Sequence, residues 1–260
     1  MAHERYQLRR MPIARGGMGD VWQGWDTQRG REVAVKFPRL PDGAERATVL
    51  RAFLREARLM KKVRHRGVPT VCDVGTDDGC PYLVMRWVPG SRVSDLLATG
   101  TLRWEAAVSI AARACAALAA IHEASVVHGD IKPANLILEP GGDVAVVDFG
   151  LAVRRDSPAA GYQQMSGTPA YLAPEQALMA VNSPRTDLYA LGCTLHEMLT
   201  GLPPALGWGP ELPPEVPEEV DDLRRSLLAT EPERGPASAV TTYRQLSKLA
   251  ALAGATAMPA

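Results

Sequence analysis

Residues 128–150 read HGDIKPANLILEPGGDVAVVDFG, and this stretch decides the fold of the chain. Asp130 and Asn135 are separated by Pro133, which cannot continue a regular helix. The two polar side chains are therefore expected on a loop and not on one face of a helix. This loop presents a carboxylate and an amide a few residues apart.

A β-hairpin is predicted directly after this loop. Apolar runs at 136–138 and 144–147 flank a Pro-Gly-Gly turn and end in Asp148. Because a hairpin brings its two ends together, Asp148 is expected near Asn135. Oxygen ligands of this kind suit magnesium, which takes one or two carboxylates together with substrate phosphates. Taken alone, each aspartate is more often a simple turn residue.

A second unusual feature is Lys36, which closes the apolar β run 33–37. A lysine there must find a counter-charge or extend towards solvent. The helical pattern that follows carries Glu56 on a face shared with apolar residues. An ion pair between Lys36 and Glu56 explains both positions, although Glu56 alone reads as a surface charge beside Arg55.

Upstream, residues 14–21 read ARGGMGDV, a glycine-rich turn between two predicted strands. Glycines allow backbone N–H groups to approach phosphate oxygens closely. By itself this signal is weak, because any tight hairpin could use the same residues. It is neither the P-loop motif of nucleotide hydrolases nor a Rossmann fingerprint.

The composition is that of a soluble globular protein. The 260 residues carry 29 Lys+Arg and 29 Asp+Glu, so the formal net charge is zero and nothing favours a nucleic-acid or membrane-surface partner. A neutral surface weakly favours self-association. The expected partners besides the protein substrate are therefore a second copy of this chain, in a homodimer, or a regulatory protein. Residues 1–11 lack a secretory signal, and the Ala-rich stretch 106–122 contains Arg113 and is too short for a membrane span. Four scattered cysteines without metal-ligand spacing favour a reducing, cytoplasmic compartment; they are Cys72, Cys80, Cys115 and Cys193.

The character of the sequence changes along the chain. Short β-like runs with one helix occupy residues 6 to about 88, and mainly helical patterns follow from about 94, strongest at 106–122 and 188–199. This predicts an α+β architecture with a hinge near 86–90. The proline-rich stretch 203–217 cannot be a continuous helix. Helical patterns resume at 218–228 and 243–252, and the tail after Gly254 is expected to fray.

The order of these motifs resembles that of protein kinases. A glycine-rich loop, a strand lysine, a helix glutamate, the loop at 128–135, Asp-Phe-Gly at 148–150 and Ala-Pro-Glu at 173–175 follow one another. The chain is most similar to bacterial Hanks-type serine/threonine kinases, through GGMG at 16–19, His65, KPAN at 132–135 and GTPAYLAPEQ at 167–176. The resemblance runs from about Tyr6 to Leu252. Each motif is weak alone, but their order and spacing are very specific.

The resemblance implies the bilobal kinase fold. One kinase domain would span 1–254, with a small β-rich N-lobe at about 1–88 that contains one helix, a hinge at 86–90 and a larger, mainly helical C-lobe at about 91–254. Residues 255–260 would form a tail. Family members usually have a further helix, used in docking, where this chain has 203–217, so the C-lobe is expected to be shortened there.

The resemblance also implies ATP and a magnesium or manganese ion as cofactors. The nucleotide-binding positions that it implies are Ala14, Gly16, Gly17, Gly19, Val21, Ala34, Lys36, Glu56, Met85, Arg86, Val88 and Ile137. Lys36 would bind the α and β phosphates and pair with Glu56. Met85 would be the gatekeeper, and the backbones of Arg86 and Val88 would hydrogen-bond the adenine edge.

The catalytic roles follow in the same way. Asp130 would accept the proton of the substrate hydroxyl, Lys132 would contact the γ-phosphate, and Asn135 and Asp148 would hold magnesium. The activation segment would include Asp148, Phe149, Gly150, Thr168, Ala173, Pro174 and Glu175. Lys132 and the Gly-Thr-Pro segment ending at Pro169 imply serine/threonine and not tyrosine specificity.

Three further positions have structural roles in the resemblance. His128 would join Met60, Val71 and Phe149 in a hydrophobic spine. Asp187 would anchor the backbone of the catalytic loop, and Arg234 would pair with Glu175.

Three single residues depart from the family pattern. Ala14 replaces the first glycine of the phosphate loop, and Arg86 replaces a common hinge acid. Gly129 replaces the arginine that gathers an activation-loop phosphate, so activity without phosphorylation is expected. Ser157, Tyr162, Ser166 and Thr168 are the candidate phosphosites on the activation loop.

The leading interpretation is an ATP-dependent serine/threonine kinase that signals by phosphorylating a protein substrate. The alternative is a pseudokinase-like ATP-binding scaffold or adaptor, which Ala14 and Gly129 would favour. Retention of Lys36, Asp130 and Asn135 together with Asp148 favours the enzyme, since a scaffold does not need all of them.

Overall fold

A computed structural model describes residues 5–16, 19–40, 45–154, 168–179, 182–204 and 209–256. The backbone divides into two compact units. The first comprises Met1–Arg64 and Val68–Pro89, and the second comprises His65–Gly67 and Gly90–Ala260. The boundary after Pro89 falls inside the predicted hinge range of 86–90. The first unit is rich in strands and the second in helices, so the predicted α+β class is confirmed.

The first unit is built on a six-stranded antiparallel sheet. Its strands lie in the order β1-β3-β4-β6-β5, and β2 pairs with β3. The elements are β1 (Tyr6–Leu8), β2 (Ala14–Gly16), β3 (Gly19–Asp26), β4 (Arg31–Pro38), α1 (Arg46–Met60), β5 (Val71–Asp77) and β6 (Cys80–Arg86). Val33, Val35 and Val84 are buried with Tyr6 and Tyr82 in a core cluster on this sheet. The apolar runs at the centres of β4 and β6 suit paired central strands.

The second unit contains six of the seven α-helices among the described residues. They are α2 (Val93–Leu97), α3 (Trp104–Glu123), α4 (Pro174–Met179), α5 (Pro184–Thr200), α6 (Glu218–Leu227) and α7 (Ala239–Thr256). Five short strands accompany them: β7 (Ser91–Arg92), β8 (Val126–Val127), β9 (Leu136–Leu138), β10 (Val144–Val146) and β11 (Val153–Arg154). β9 lies between β10 and β7, and β11 pairs with β8.

Helix α3 is the apolar centre of the second unit, packed against α5 and α7. Five of its alanines are buried together with Ile110, Leu118 and Ile121. By length and composition it is the one helix in the described part of the chain that could cross a bilayer, but 56% of its apolar window is buried within the fold. Burial of this kind is what a core helix shows.

Helix α5 begins and ends with clear local signals. Ser183 caps its first turn through a capping box with Thr186, and Pro184 occupies the first turn. Gly201 ends the helix with a φ of 84°, a left-handed conformation that glycine adopts without strain. This helix carries Asp187 in its first turn, and the cap therefore fixes the position of that carboxylate.

The proline-rich stretch is not a helix in its described parts, 203–204 and 209–217, as the sequence predicts. Helix α6 begins directly after Pro217, and α7 continues to Thr256, two residues into the predicted tail. Residues 205–208 and 257–260 lie outside the described residues.

Candidate active site

The first unit contains the Lys36–Glu56 ion pair. The Lys36 Nζ atom lies 2.7 and 2.9 Å from the two carboxylate oxygens of Glu56. The side chains are only 4% and 3% exposed. Two buried charges without partners would cost several kcal/mol each, so the pair holds β4 and α1 in a fixed relation. Glu56 is therefore not a surface charge.

The glycine-rich turn is the β2–β3 hairpin. Ala14 pairs with Val21, and Gly16 pairs with Gly19 at the turn. A Cβ atom at Gly19 would collide with the carbonyl oxygen of Phe37 on the neighbouring strand, so this position requires glycine. Gly17, another predicted phosphate-loop residue, lies outside the described residues.

The predicted adenine-site residues of the first unit lie on β4 and β6 and just after β6. Ala34 and Met85 are direct partners across the two strands. The N–H of Arg86 donates to the carbonyl oxygen of Thr70 at 2.9 Å. Val88 is buried in the segment that follows β6. Ile137 belongs to the second unit, where it lies on β9 opposite Ala145.

The second unit contains the loop at 128–135 and the hairpin at 136–147. Leu136–Leu138 and Val144–Val146 pair as the antiparallel strands β9 and β10. The N–H of Val147 donates to the carbonyl oxygen of Asn135 at 3.0 Å, which extends the pairing by one residue. Asn135 and Asp148 therefore lie at the same end of the hairpin, as its sequence predicts.

Asp130 is the centre of a polar cluster on this loop. The Asn135 Nδ2 atom donates to the Asp130 carbonyl oxygen at 2.8 Å and to its carboxylate at 2.9 Å. The Lys132 Nζ atom lies 2.8 Å from the same carboxylate and donates to the Thr168 hydroxyl at 2.7 Å. One lysine thus connects the catalytic-loop aspartate to the activation segment.

Asp187 holds the backbone of this loop from helix α5. Its carboxylate accepts the N–H groups of His128 at 2.9 Å and Gly129 at 2.8 Å, and His122 Nε2 lies 2.8 Å away. Burial alone would raise the pKa of Asp187, but the bonds from His122 and the Gly129 N–H outweigh it and hold the pKa below its usual range. The carboxylate therefore stays ionised inside the fold.

His128 and Phe149 pack against each other with their ring centroids 4.8 Å apart. Burial lowers the pKa of His128 below its usual range. Its Nδ1 atom accepts the N–H of Asp130 at 3.3 Å, and its Nε2 lies 3.1 Å from the Val147 carbonyl oxygen. The ring is therefore neutral, and its two contacts with the backbone stabilise the loop from inside. Met60 and Val71, the other predicted spine residues, belong to the first unit.

Asp148 has a left-handed backbone with a φ of 65°. This conformation is uncommon for residues other than glycine and concentrates at functional sites, where the surroundings enforce it. Magnesium is the metal that the fold family implies, and the residues fit it. Asn135 donates from its amide nitrogen to Asp130, so its amide oxygen and the Asp148 carboxylate at the same end of the hairpin are oxygen ligands of the kind that would suit magnesium.

After Arg154, the described part of the activation segment resumes at Thr168 and continues through a short 3₁₀ turn at Pro169–Tyr171. Ala173 precedes helix α4, where its N–H is bonded to the side chain of Gln176 at 3.0 Å. Pro174 and Glu175 form the first turn of α4, and Phe149 and Gly150 are buried. Ser157, Tyr162 and Ser166 lie outside the described residues.

The sequence did not indicate two of the contacts around this site. His122, which binds Asp187, is one residue of the apolar α3 pattern. The Tyr171 hydroxyl donates to Glu197 at 2.5 Å and thereby fixes the activation segment to α5. Neither contact has a local signature, because its partners are far apart in the chain.

The predicted pair between Arg234 and Glu175 needs correction. Arg234 pairs with Glu231 at 2.8 Å, and its side chain is 75% exposed. The reason is local geometry: the 3₁₀ turn Pro232–Arg234 places the guanidinium one turn after Glu231. Glu175 instead lies near Tyr189. Burial raises the pKa of the Tyr189 phenol to about 12, and the charge of Glu175 is one of the smaller causes of the same shift.

Comparisons with known proteins agree with this geometry. A family model described as "Protein kinase domain" matches residues 8–234. "Serine/threonine-protein kinase PknA" of Mycobacterium tuberculosis is 36% identical over 248 residues, covering 88% of this chain and 57% of that protein. A protein of Corynebacterium glutamicum named "Probable serine/threonine-protein kinase PknB" is 37% identical over 215 residues, covering 80% of this chain and 33% of that protein.

This chain therefore spans only part of the length of these curated relatives, 57% of one and 33% of the other. The family model nevertheless covers most of the chain, and the glycine loop, ion pair, catalytic loop and Asp-Phe-Gly motif all fall within its matched residues. The chain belongs to the protein kinase family, as a catalytic domain of the bacterial Hanks type.

Proposed function

We propose that this chain is an ATP-dependent serine/threonine protein kinase domain, which transfers the γ-phosphoryl group to a hydroxyl of a protein substrate. The contacts of Asp130 support this most directly. Its carboxylate is held by Lys132 at 2.8 Å and Asn135 at 2.9 Å, and the same lysine contacts Thr168. Such a cluster orients a hydroxyl and places a cation beside it, which is most of what phosphoryl transfer requires.

The proposed reaction is an in-line displacement. The substrate hydroxyl oxygen attacks the γ-phosphorus, its proton passes to the Asp130 carboxylate, and the bond to the β–γ bridging oxygen breaks to release ADP. Lys132 neutralises charge on the transferred group, while Lys36, fixed by Glu56, holds the α and β phosphates. Magnesium bound by Asn135 and Asp148 would neutralise the phosphate oxygens.

A labelling experiment tests the proposal. The purified chain is incubated with radiolabelled ATP, magnesium or manganese, and a generic basic protein, beside Asp130→Asn and Lys36→Met. Asp95→Asn and Lys61→Met are the matched controls, because they make the same substitutions at an exposed aspartate and an exposed lysine. We expect label on serine and threonine with wild type and both controls, and at least a hundredfold less with the two site variants. Wild-type labelling no higher than that of the site variants, with ATP still bound, would establish the scaffold alternative.

We further infer that the domain is active without a phosphorylated activation segment. Gly129 has no side chain with which to gather a phosphate, and Lys132 already bonds the segment at Thr168. Enzyme pretreated with a phosphatase should therefore phosphorylate substrate from the first time point. A lag that ends only when the enzyme has phosphorylated itself would contradict this inference.

The proposed setting is the cytoplasm, with a protein substrate and a regulatory partner. All four cysteines are free thiols, and Cys115 and Cys193 are buried in the helical unit. Free thiols are typical of a reducing compartment.

A further inference from the structure

A groove of about 450 Å³ opens on the sheet of the first unit, and none of its lining residues has a role in the proposed reaction. We call it the aromatic groove, and its lining residues are Tyr6, Gln7, Leu8, Arg9, Trp22 and Phe37. The rings of Trp22 and Phe37 meet edge to face, with their centroids 5.4 Å apart, and both side chains are only partly buried. A concave site with partly exposed aromatic rings is suited to receive an apolar group of a partner.

The chain at the aromatic groove is basic. Arg9 lines the groove, Arg10 follows it directly, and Arg15 lies on β2. All three side chains are exposed, and within the described residues none of them has an ion pair or a side-chain hydrogen bond. Arg5, in contrast, is paired with Asp26 and Asp73. Unpaired cations beside an apolar groove favour a partner that is both apolar and acidic.

The proline-rich stretch of the second unit has this character. It reads GPELPPEVP at 209–217 and leads directly into α6. Four of its glutamates and of those in the first turn of α6 are exposed and have no ion pair or side-chain hydrogen bond in the described part of the chain: Glu211, Glu215, Glu218 and Glu219. Because its prolines restrict the backbone, this segment loses little conformational entropy when it binds.

The two units as wholes carry opposite charges. The first unit contains 16 Lys+Arg and 10 Asp+Glu, and the second contains 13 Lys+Arg and 19 Asp+Glu, which accounts for the 29 of each sign in the chain. The formal charges are therefore +6 and −6. A net charge of zero thus combines a basic unit with an acidic one, and the basic unit of one copy attracts the acidic unit of another.

We propose that the aromatic groove of one copy of this chain binds the segment 209–219 of a second copy. Proline-rich segments dock in aromatic-lined grooves, since their preformed backbone presents apolar rings at low entropic cost. Arg9 and its neighbours pair with the glutamates of the bound segment. Each copy has one groove and one segment, so the contact is heterologous and joins the copies head to tail. The inference goes beyond the proposed kinase function and does not depend on it, because association needs no ATP.

Analytical ultracentrifugation of the purified chain over a range of concentrations tests the proposal. The groove variant combines Trp22→Ala with Arg9→Gln. Its matched control combines Trp25→Ala with Arg29→Gln, at an exposed tryptophan and an exposed arginine that do not line the groove. Trp25 is three residues from Trp22 on β3, so its side chain lies on the opposite face of the strand.

The segment variant combines Glu211→Gln with Glu215→Gln. Its matched control combines Glu123→Gln with Glu233→Gln, at two exposed glutamates outside the segment. An equimolar mixture of the groove variant and the segment variant is measured as well. In that mixture one intact groove can meet one intact segment, so a head-to-tail contact forms a dimer that cannot grow further.

We expect the mean mass of wild type to rise with concentration, and its association constant to fall about tenfold or more when NaCl is raised from about 0.05 to about 0.5 M. Each variant alone should associate about tenfold or more weakly than wild type and its own control, while circular dichroism shows it folded. The mixture should regain association and stop at the dimer. Wild type that stays monomeric, association unchanged in both variants, or a mixture that stays monomeric or grows beyond the dimer would each overturn the proposal.

Discussion

Among single residues, Gly129 shows why the catalytic loop departs from the family pattern. Its φ of 79° lies in the left-handed region, and a Cβ atom there would lie 3.1 Å from the carbonyl oxygen of Leu151. A larger residue at this position must accept both the backbone strain and the crowding. Glycine avoids both costs. It also lacks the charged side chain that would bind a phosphate.

Replacing Gly129 by alanine is expected to destabilise the fold by about 1–2 kcal/mol, the usual cost of a left-handed backbone for an L-residue. Two glycines separate the causes. Gly79→Ala tests a φ of 75° without crowding, and Gly141→Ala tests an open position without a positive φ. Urea denaturation should rank the loss of stability as Gly129→Ala, then Gly79→Ala, with Gly141→Ala near zero. Equal stability of the first and last variants would refute the strain argument.

Single residues also show where prediction from the sequence succeeds. Lys36 and Glu56 could be paired because each is a charge in an apolar pattern, and a buried charge needs a partner. The Asp148 position followed from the hairpin that precedes it. His122 could not be found in this way, because a histidine near the end of an apolar helix has no pattern that points to Asp187.

Helix α5 carries a buried histidine that should make stability depend on pH. His196 is 2% exposed, and its Nε2 atom has no hydrogen-bond partner within the described residues. Its Nδ1 atom lies 3.5 Å from Arg224 on α6. Burial, and then the charge of Arg224, lower the pKa of His196 to about 4.

The sign of the effect follows from proton binding. Between about pH 6.5 and pH 4 the unfolded chain binds a proton at His196 that the folded chain does not, so stability falls as the pH falls. The loss should reach at most about 3.5 kcal/mol, from roughly 1.4 kcal/mol per pKa unit over about 2.5 units. Urea denaturation of wild type and His196→Gln at pH 7.5 and 5.0 measures it. The variant should lose less stability on acidification, and parallel losses in the two proteins would rule out the buried neutral histidine.

Elements were predictable where their pattern is local. The hairpin at 136–147 and the helices at 106–122 and 188–199 were indicated by periodicity and turn residues; the structure extends both helices by one to four residues at each end, while β10 ends at Val146. The pairing of Arg234 was not predictable, because a tertiary partner and a neighbour three residues away are equally compatible with one sequence. In the structure Arg234 pairs with the neighbouring Glu231 and not with Glu175.

At the scale of the whole molecule, the change from β-like to helical patterns was enough to predict two units of different class. A groove between α3 and α7 was not predictable. Alanine and serine positions read as a close-packed core, and only the packing of the two helices shows that a hollow lined by Ala112, Ala116 and Ala250 remains between them. Small residues on both helices are necessary for it but are not a signature of it.

The last prediction concerns the stabilisation of the chain by MgATP, because the residues proposed to bind it are divided between the two units. Lys36 belongs to the first unit, while Asn135 and Asp148 belong to the second. If one MgATP uses both sets, binding to the folded state alone should stabilise the chain by about 2.7 kcal/mol at a hundredfold excess over Kd. For a chain of this size that corresponds to roughly 5–10 °C in Tm.

Thermal melts with and without MgATP measure this shift, each variant against its own baseline. Lys36→Met lowers the baseline because it leaves Glu56 buried without its cation, and it should also lose the shift. Asp130→Asn should keep the shift, since the role proposed for Asp130 is to accept the hydroxyl proton and not to hold the nucleotide, and Lys61→Met serves as the exposed control. Asp148→Ala should lose the part of the shift that requires magnesium. An unchanged shift in Lys36→Met would mean that ATP binds without the first unit, and the proposed division of roles would then be wrong.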